Sequence, residues 1–590
     1  MLRHRGPDGT GAWMSTDGRC WLGHTRLSIL DLSATGAQPM QHNRLPVHIV
    51  FNGEIYNHHQ LRGVFGSGEI WRGTSDTETL LAGFVRWRAE LLPRLKGMFA
   101  FVIFDESSGT LFAARDRFGM KPLYYSRRGD GFRFASEVRS LLHEECAAIQ
   151  PDRVARFLQC GACPDDGLLF TGIHALLPGH SITISAGGQT QVRCYWPGPG
   201  AIRSDSREAL PRVRDLLERA VDQHLLADVP VASFLSGGID STVVTALAAR
   251  RSRVPLRTFS VGFPQREWDE TSVAAEVAAR FRTQHERIEV SEQEAVSLVQ
   301  EAVERMDLPS VDAVNTYIVS RQVARAGIKV ALSGLGGDEL FGGYPIFHEV
   351  AKLQRLSPLA KSFRAALVLF GDRGRRMAEI PSESVSQIVL WRRRFWTDAM
   401  LHSAGLPAPS LIEIPAWDLP DTFAEVSWAE LQGYLRHMLL RDADQMSMAV
   451  SLELRVPFLD HELVEYVLGL PAAVKARSNC VKSLLVGACA DLLPRSVFDR
   501  PKQGFALPMD HWMRGPLAEF VQAGLACVRG LELIDGRFLN QLELRFKFRR
   551  LHWTRLWSLV VLGHYLRRVK SVAAQSCPMR DENTHPLRTA

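Results

Sequence analysis

Two stretches of this chain combine the residue types that could hold a phosphate: Ser236-Gly237-Gly238-Ile239-Asp240-Ser241 and Ser333-Gly334-Leu335-Gly336-Gly337-Asp338-Glu339. Glycines let backbone approach an anion closely, and the free N–H groups at a helix start point toward it. Ser236 and Ser241 add hydroxyl donors. Asp240 is out of place beside a phosphate unless a divalent cation lies between them, so it is a metal-ligand candidate, with Asp338 as its counterpart. The plain alternative for Asp338-Glu339 is an acidic pair at a helix N-terminus. No lysine follows Gly238, so the first stretch is not the GxxxxGK[ST] loop.

The flanking residues say what positions these loops. Val229 to Leu235 reads as a buried strand, and Ile239 to Ala249, rich in Val, Ala and Leu, as a helix. Around them helix and strand alternate: helix Arg207 to Leu226, strand Leu256 to Gly262, helix Glu270 to Phe281, strand Gln284 to Val290, helix Glu292 to Met306, strand Lys329 to Leu332. This order predicts an α/β doubly wound parallel sheet with both loops at the carboxyl ends of strands, and a mostly helical part after about Pro345. The chain up to Trp196 differs. It holds short strands at His48 to Phe51, Phe99 to Phe104, Leu111 to Ala114 and Leu123 to Tyr125, separated by turn signals at Asn52-Gly53, Ser108-Gly109 and Gly129 to Gly131. Helices at Thr77 to Arg88 and Pro151 to Cys160 intervene, which predicts α+β with stacked, largely antiparallel sheets. Pro197 to Asp205 is a linker by composition. The expected domains are 1–196 and 206–570, with a polar, disordered tail at 571–590.

Composition narrows the function. The chain has 590 residues, 46% hydrophobic and 23% charged, enough for two or more cores. A net charge of +6 is small for this length and is no nucleic-acid signature. No apolar run reaches a membrane span, and no apolar segment follows Met1, so a cytoplasmic protein is expected. Nine cysteines, an odd number, suggest reduced thiols, and Cys160-Gly-Ala-Cys163 lacks a second pair or histidines for zinc. The aromatic-basic run Arg545 to Trp557 reads as an amphipathic closing helix, and Trp391 to Trp396 likewise as packing rather than nucleic-acid contact.

The first loop resembles the pyrophosphate loop of ATP pyrophosphatases, which cleave ATP between its α and β phosphates. Nearly the whole chain resembles a glutamine-dependent asparagine synthetase. The amino-terminal motifs are His4 to Gly9, Arg26 to Asp31, Asn52 to Asn57, Ser75 to Glu78 and Arg115 to Tyr124. The carboxyl-terminal ones are Ser236 to Ser241, Ser333 to Tyr344, Met446 to Asp460, Lys482 and Arg500 to Phe505. The resemblance implies an N-terminal-nucleophile hydrolase-like αββα glutaminase followed by an ATP-pyrophosphatase domain. It implies glutamine hydrolysis in the first. In the second, a carboxylate attacks the α-phosphate of ATP, and ammonia passing through the interior turns the acyl-adenylate into an amide. Aspartate is the usual acceptor.

The same resemblance assigns roles. Ser236, Gly237, Gly238, Asp240 and Ser241 would bind the pyrophosphate, Asp240 and Asp338 would hold Mg²⁺, and Lys482 would neutralise charge developing on the phosphates. Val261 and Gly334 would frame adenine. In the glutaminase, Arg26 would pair with the glutamine α-carboxylate, Asn52 and the Gly53 N–H would form the oxyanion hole, and Glu54 and Asp76 would hold the α-ammonium. ATP, Mg²⁺, glutamine or ammonia and a carboxylate acceptor are the partners implied, with a homodimer left open.

Two departures qualify this. The family's nucleophile is an amino-terminal cysteine, and this sequence opens Met1-Leu2-Arg3. The expectation is use of free ammonia, or a misassigned start. Cys20 lies beyond the His4 to Gly9 motif, has no free α-amine, and is a poor substitute. Second, Leu335 stands where asparagine synthetases usually carry a glutamate thought to act as base toward ammonia. This leaves open another acceptor, such as a sugar uronate in polysaccharide assembly, or ring closure. A catalytically silent paralogue acting as a regulatory subunit is the alternative of a different class. A thiouridylase is disfavoured because no catalytic cysteine pair accompanies the loop.

Overall fold

The computed structural model describes residues 1–129, 131–142, 148–199, 203–262, 271–368, 371–381, 384–410, 412–477, 480–498 and 507–575. The N-terminal part is built from β1 (Gly9–Met14), β2 (Trp21–Arg26), β3 (Met40–Gln41), β4 (Val47–Ile55), β5 (Gly97–Asp105), β6 (Thr110–Arg115), β7 (Tyr124–Arg128), β8 (Gly131–Ala135), β9 (Ile173–Ala175), β10 (His180–Ile184) and β11 (Thr190–Cys194). Six of them form an antiparallel sheet in the order β11-β10-β6-β5-β4-β3; β1 pairs with β2, and β8-β7-β9 make a third sheet. One face of the large sheet packs on helix Asp76–Trp87 through Leu80, Leu81 and Phe84. The other packs on the hairpin and on Leu123 and Leu176. Helix Pro151–Cys160 packs behind β7 and β9, against Tyr124 and Ile173. The result is the helix–sheet–sheet–helix stack that the resemblance implied.

One turn signal was misread. Asn52-Gly53 lies inside β4, whose pairing with β5 runs unbroken from Val47↔Asp105 to Ile55↔Gly97. Burial of Phe51, Ile55, Phe99 and Phe101 on a shared face outweighs the local turn preference. Gly53 is required there: its φ is 144°, and a Cβ would lie 2.0 Å from the Met98 carbonyl oxygen.

The C-terminal part carries β12 (Val231–Phe234), β13 (Arg257–Gly262), β14 (Gln284–Glu289), β15 (Val330–Leu332) and β16 (Glu453–Arg455), all parallel, in the order β14-β13-β12-β15-β16. Strand order reverses between β12 and β15, so a crevice opens at their carboxyl ends, which is where ligands bind in such sheets. The β12-to-helix passage and the helices Ala209–His224, Thr271–Phe281 and Glu292–Arg305 fall close to the expected ranges. The fifth strand was not expected. Its Glu453 and Arg455 are buried charges, so it carries no apolar strand signature.

The closing region departs from expectation too. Arg545 to Trp557 is not one helix: Gly536–Lys547 and Trp553–Gln575 are separate, with Arg549 at φ 58° between them. Phe546 and Trp557 are each buried, one from each helix, in the same core. In the Trp391 to Trp396 run both tryptophans are buried. The Arg500 to Phe505 motif, Asp130 of the Gly129–Gly131 turn, linker residues 200–202 and residues 576–590 of the tail lie outside the described residues.

Candidate active sites

The first site grows out of the crevice between β12 and β15. After β12 the chain turns through Gly237, at φ 75°, into helix Ile239–Arg251. Its hydroxyls brace the turn. Ser236 and Ser241 share a hydrogen bond of 3.0 Å, the Gly238 N–H donates to Ser236 Oγ at 3.4 Å, and Ser241 Oγ donates to the Gly238 carbonyl at 3.1 Å. After β15, Gly336 (φ 92°) swings the second loop into the short helix Gly337–Phe341. The two loops touch. A Cβ on Gly334 would lie 2.9 Å from Asp240 Cβ, one on Gly337 2.5 Å from Asp240 Cγ, and one on Gly343 1.9 Å from Asp338 Oδ1. The glycines are there because the carboxylates occupy that space.

Lys482, 242 positions beyond Asp240 in sequence, completes the cluster. It sits in a left-handed conformation, φ 57°, buried, with Nζ bonded to Asp240 Oδ2 and 2.6 Å from Asp338 Oδ1. Burial alone would lower its pKa; the two carboxylates reverse that and hold it above the ordinary lysine value. Val261 lies at the carboxyl end of β13, next to the first loop's strand, half-buried. Glu339, which sequence reasoning treated as secondary, is buried beside Asp338 and accepts a 2.7 Å hydrogen bond from the Tyr344 hydroxyl. Burial and the Asp338 charge raise its pKa to about 7. Leu335 is half-buried against apolar neighbours.

The described residues contain no group of three or more His, Cys, Asp or Glu able to hold a metal ion. Two hard carboxylates facing a phosphate loop do fit Mg²⁺, which takes one or two carboxylates and fills its shell with phosphate and water oxygens. Because Asp240 fills the space beside Gly337, Gly337→Ala is expected to displace that carboxylate and cut ATP turnover about 10²-fold with cooperative unfolding retained. Pyrophosphate release and a thermal melt check this; turnover unchanged within twofold would mean the carboxylate position is not needed.

The second site is an open pocket lined by Arg26, Asn52, Gly53, Glu54 and Asp76, five residues brought together from three motifs. Met448 and Glu453 of the C-terminal part also line it. Asn52 Nδ2 is buried without a hydrogen-bond partner, on a strand whose next residue, Gly53, has an unusual φ that only glycine adopts freely. A buried, unused donor is what a developing oxyanion needs. Arg26 donates to the Ser33 carbonyl at 2.8 Å and to the Asp31 carbonyl, so its guanidinium also pins the adjoining loop. Asp76 opens its helix behind the Ser75 N-cap and accepts the Ile55 N–H at 2.8 Å.

Burial raises the pKa of Asp76 to about 6, and burial with the nearby Asp76 charge raises that of Glu54 well above the carboxylate range. An incoming ammonium would reverse both shifts. Below about pH 6 Asp76 binds a proton in the empty pocket, and an ammonium must displace it. Glutamine affinity should therefore fall by at least about tenfold per pH unit below that point. Titration calorimetry at pH 5, 6 and 7.5 measures it, and an affinity flat across that range would contradict the placement of the ammonium.

Cys20 does not line this pocket. It packs with Leu22, Ala100 and Val102, and burial pushes its thiol up to about 11. Cys160 and Cys163 are likewise pushed up by burial, to about 11 and about 12.

An antiparallel sandwich with its own pocket, joined to a doubly wound sheet with paired glycine loops, defines a two-part amidotransferase and nucleotide-using synthetase. Comparison with known proteins gives the particular family. The Asparagine synthase family model matches residues 212–567 and the Glutamine amidotransferase domain model matches residues 1–196. Asparagine synthetase [glutamine-hydrolyzing] 1 of Bacillus subtilis strain 168 is 32% identical over 541 residues, covering 88% of this chain and 85% of that protein. Asparagine synthetase [glutamine-hydrolyzing] 3 of the same organism is 31% identical over 537 residues, 85% and 82% of the two chains. Amidase chyE of Penicillium rubens is 30% identical over 581 residues, 88% and 85%. The chain belongs to the asparagine synthase family and is an ATP-dependent carbon–nitrogen ligase that amidates a carboxylate. No helix among the described residues is long and apolar enough to cross a membrane.

Proposed function

We propose that residues 206–570 activate a free carboxylate with ATP for amidation by ammonia and that residues 1–196 bind glutamine. The convergence of Asp240 and Asp338 on Lys482 Nζ, at the point where strand order reverses, carries this reading. The acceptor carboxylate oxygen attacks the α-phosphorus, the bond from that phosphorus to the bridging oxygen breaks, and pyrophosphate leaves. Backbone N–H groups of Gly237 and Gly238 with the hydroxyls of Ser236 and Ser241 cradle the departing group. Val261 and Gly334 border the adenine. Asp240 and Asp338 would hold a Mg²⁺ ion, which when bound draws negative charge from the pyrophosphate. Lys482, held between the two carboxylates, would neutralise charge developing on the phosphate oxygens. Ammonia then attacks the acyl carbon, AMP leaves with the electron pair of the C–O bond, and a base takes the surplus proton.

In the other pocket Arg26 faces the glutamine α-carboxylate, Glu54 and Asp76 the α-ammonium, and Asn52 with the Gly53 N–H the developing oxyanion. Aspartate is the first acceptor to test, because the family is named for it. The assay is release of pyrophosphate and AMP from ATP, Mg²⁺ and ammonium with a panel of carboxylic acids, aspartate included. Acid-dependent release of both products in equal amounts supports the reading. Release of ADP and phosphate instead, or no acid-dependent turnover, refutes it.

A further inference from the structure

Glu54, in the glutamine pocket, faces Arg455, some 400 residues away on β16: Nη2 lies 3.2 Å from Oε1 without hydrogen-bond geometry. The Arg455 side chain is fully buried. Its Nε donates to Glu453 Oε1 at 2.9 Å, and its Nη1 donates to the carbonyls of His224 at 2.9 Å and Leu226 at 2.6 Å. The other Glu54 oxygen, Oε2, is buried without a hydrogen-bond partner. The Arg455 carbonyl in turn accepts the Ser333 N–H at 2.8 Å, and Ser333 opens the second glycine loop. One residue thus touches a wall of the glutamine pocket with its side chain and the ATP loop with its backbone.

A second tie runs parallel. Asp228, just ahead of β12, accepts the Asp31 N–H at 2.8 Å and donates its own N–H to the Ile29 carbonyl at 2.9 Å. That holds the loop pinned by Arg26 to the strand that ends in Ser236 to Ser241. β12, which leads into the first glycine loop, and β16, which holds the start of the second, are therefore both tied to the glutamine pocket. A guanidinium fixed through Nη1 to the His224 and Leu226 carbonyls and through Nε to Glu453 on its own strand holds Nη2 beside Glu54 and cannot follow a moving carboxylate without moving its strand.

We infer that Arg455 is a positioning residue that couples the glutamine site to the ATP site. An ammonium engaging Glu54 draws on the carboxylate that Arg455 shares, and β16 passes the adjustment to Ser333. This rests on the glutamine reading of the pocket. Coupling between binding sites is reciprocal, so glutamine and Mg²⁺-ATP must tighten or loosen each other by one common factor.

The test is calorimetric and needs no turnover. L-glutamine is titrated into the full chain with and without saturating Mg²⁺-ATP, and Mg²⁺-ATP with and without saturating L-glutamine. Wild type should change each affinity by at least about fivefold, equally in both directions. Arg455→Lys keeps the charge but loses the fork, and should bring the factor to within twofold of unity while Mg²⁺-ATP alone binds within threefold of wild type. Should that variant fail to fold, Glu453→Gln, which removes the carboxylate fixing Nε, should likewise bring the coupling factor to within twofold of unity, whatever it does to either affinity alone. Independent binding in wild type, or a wild-type factor in these variants, overturns the inference and leaves the proposed function standing. Failure of wild type to bind either ligand alone would instead refute the proposed function.

Discussion

Asp338→Asn and Asp240→Asn are each expected to lower acceptor-dependent pyrophosphate release by about 10²–10³-fold, the usual cost of losing a charged partner of the transition state. Both substitutions keep side-chain shape, and both positions remain hydrogen-bonding, so the fold should unfold cooperatively as before. The loss is electrostatic. Each asparagine removes a negative charge from a cluster in which Lys482 Nζ is bonded to Asp240 Oδ2 and lies 2.6 Å from Asp338 Oδ1. It also removes half of the carboxylate pair that Mg²⁺ would use, so raising Mg²⁺ should not restore the rate. The measurement is steady-state pyrophosphate release at saturating ATP, with a thermal melt of each variant. Near wild-type turnover in either variant at saturating Mg²⁺ would rule out a shared ion between the two loops.

Leu335→Glu is expected to raise ammonia-dependent amidation of aspartate, by about 10²-fold or more, because a missing general base typically costs about 10²–10⁴-fold. Adenylation needs nothing from position 335: the pyrophosphate-side residues Ser236, Asp240, Asp338 and Lys482 are all assembled without it. What leucine removes is a proton acceptor, and it makes that wall apolar, packed against the neighbouring core. With wild type, aspartate should be poor and a different carboxylic acid better. Glu339 is the competing base, being buried next to Asp338 with its pKa raised to about 7. If it already serves, Glu339→Gln will cut the wild-type ammonia step by the same factor, and Leu335→Glu will gain nothing. Asparagine formation from ammonia that Leu335→Glu fails to improve sinks the prediction.

Much of the α/β part was legible from sequence for local reasons. Mostly apolar runs such as Val231–Phe234, buried at its centre, and Val330–Leu332, buried throughout, lie inside a parallel sheet and are followed by glycine-rich turns, so composition alone marks strand, loop and helix. The elements that escaped are those whose stability comes from distant partners. β16 is three residues long with two buried charges, which are made tolerable by each other and by the distant Glu54, Lys121 and the carbonyls of His224 and Leu226. Gly53 looked like a turn because nothing near it in sequence announces β5 as its partner.

The site divides along the same line. Residue types and spacing within each motif determined which side chains could bind phosphate or an amino acid, because a glycine loop's reach and a carboxylate's charge are local properties. Only the tertiary structure decided that Lys482 neutralises Asp240 and Asp338 together, that Glu339 is held near neutrality, and that Arg455 joins the glutamine pocket to the nucleotide loop. Those outcomes depend on burial and on distances between residues hundreds of positions apart. Electrostatic energy in a low-dielectric interior is set by such distances, and no single stretch of sequence contains them.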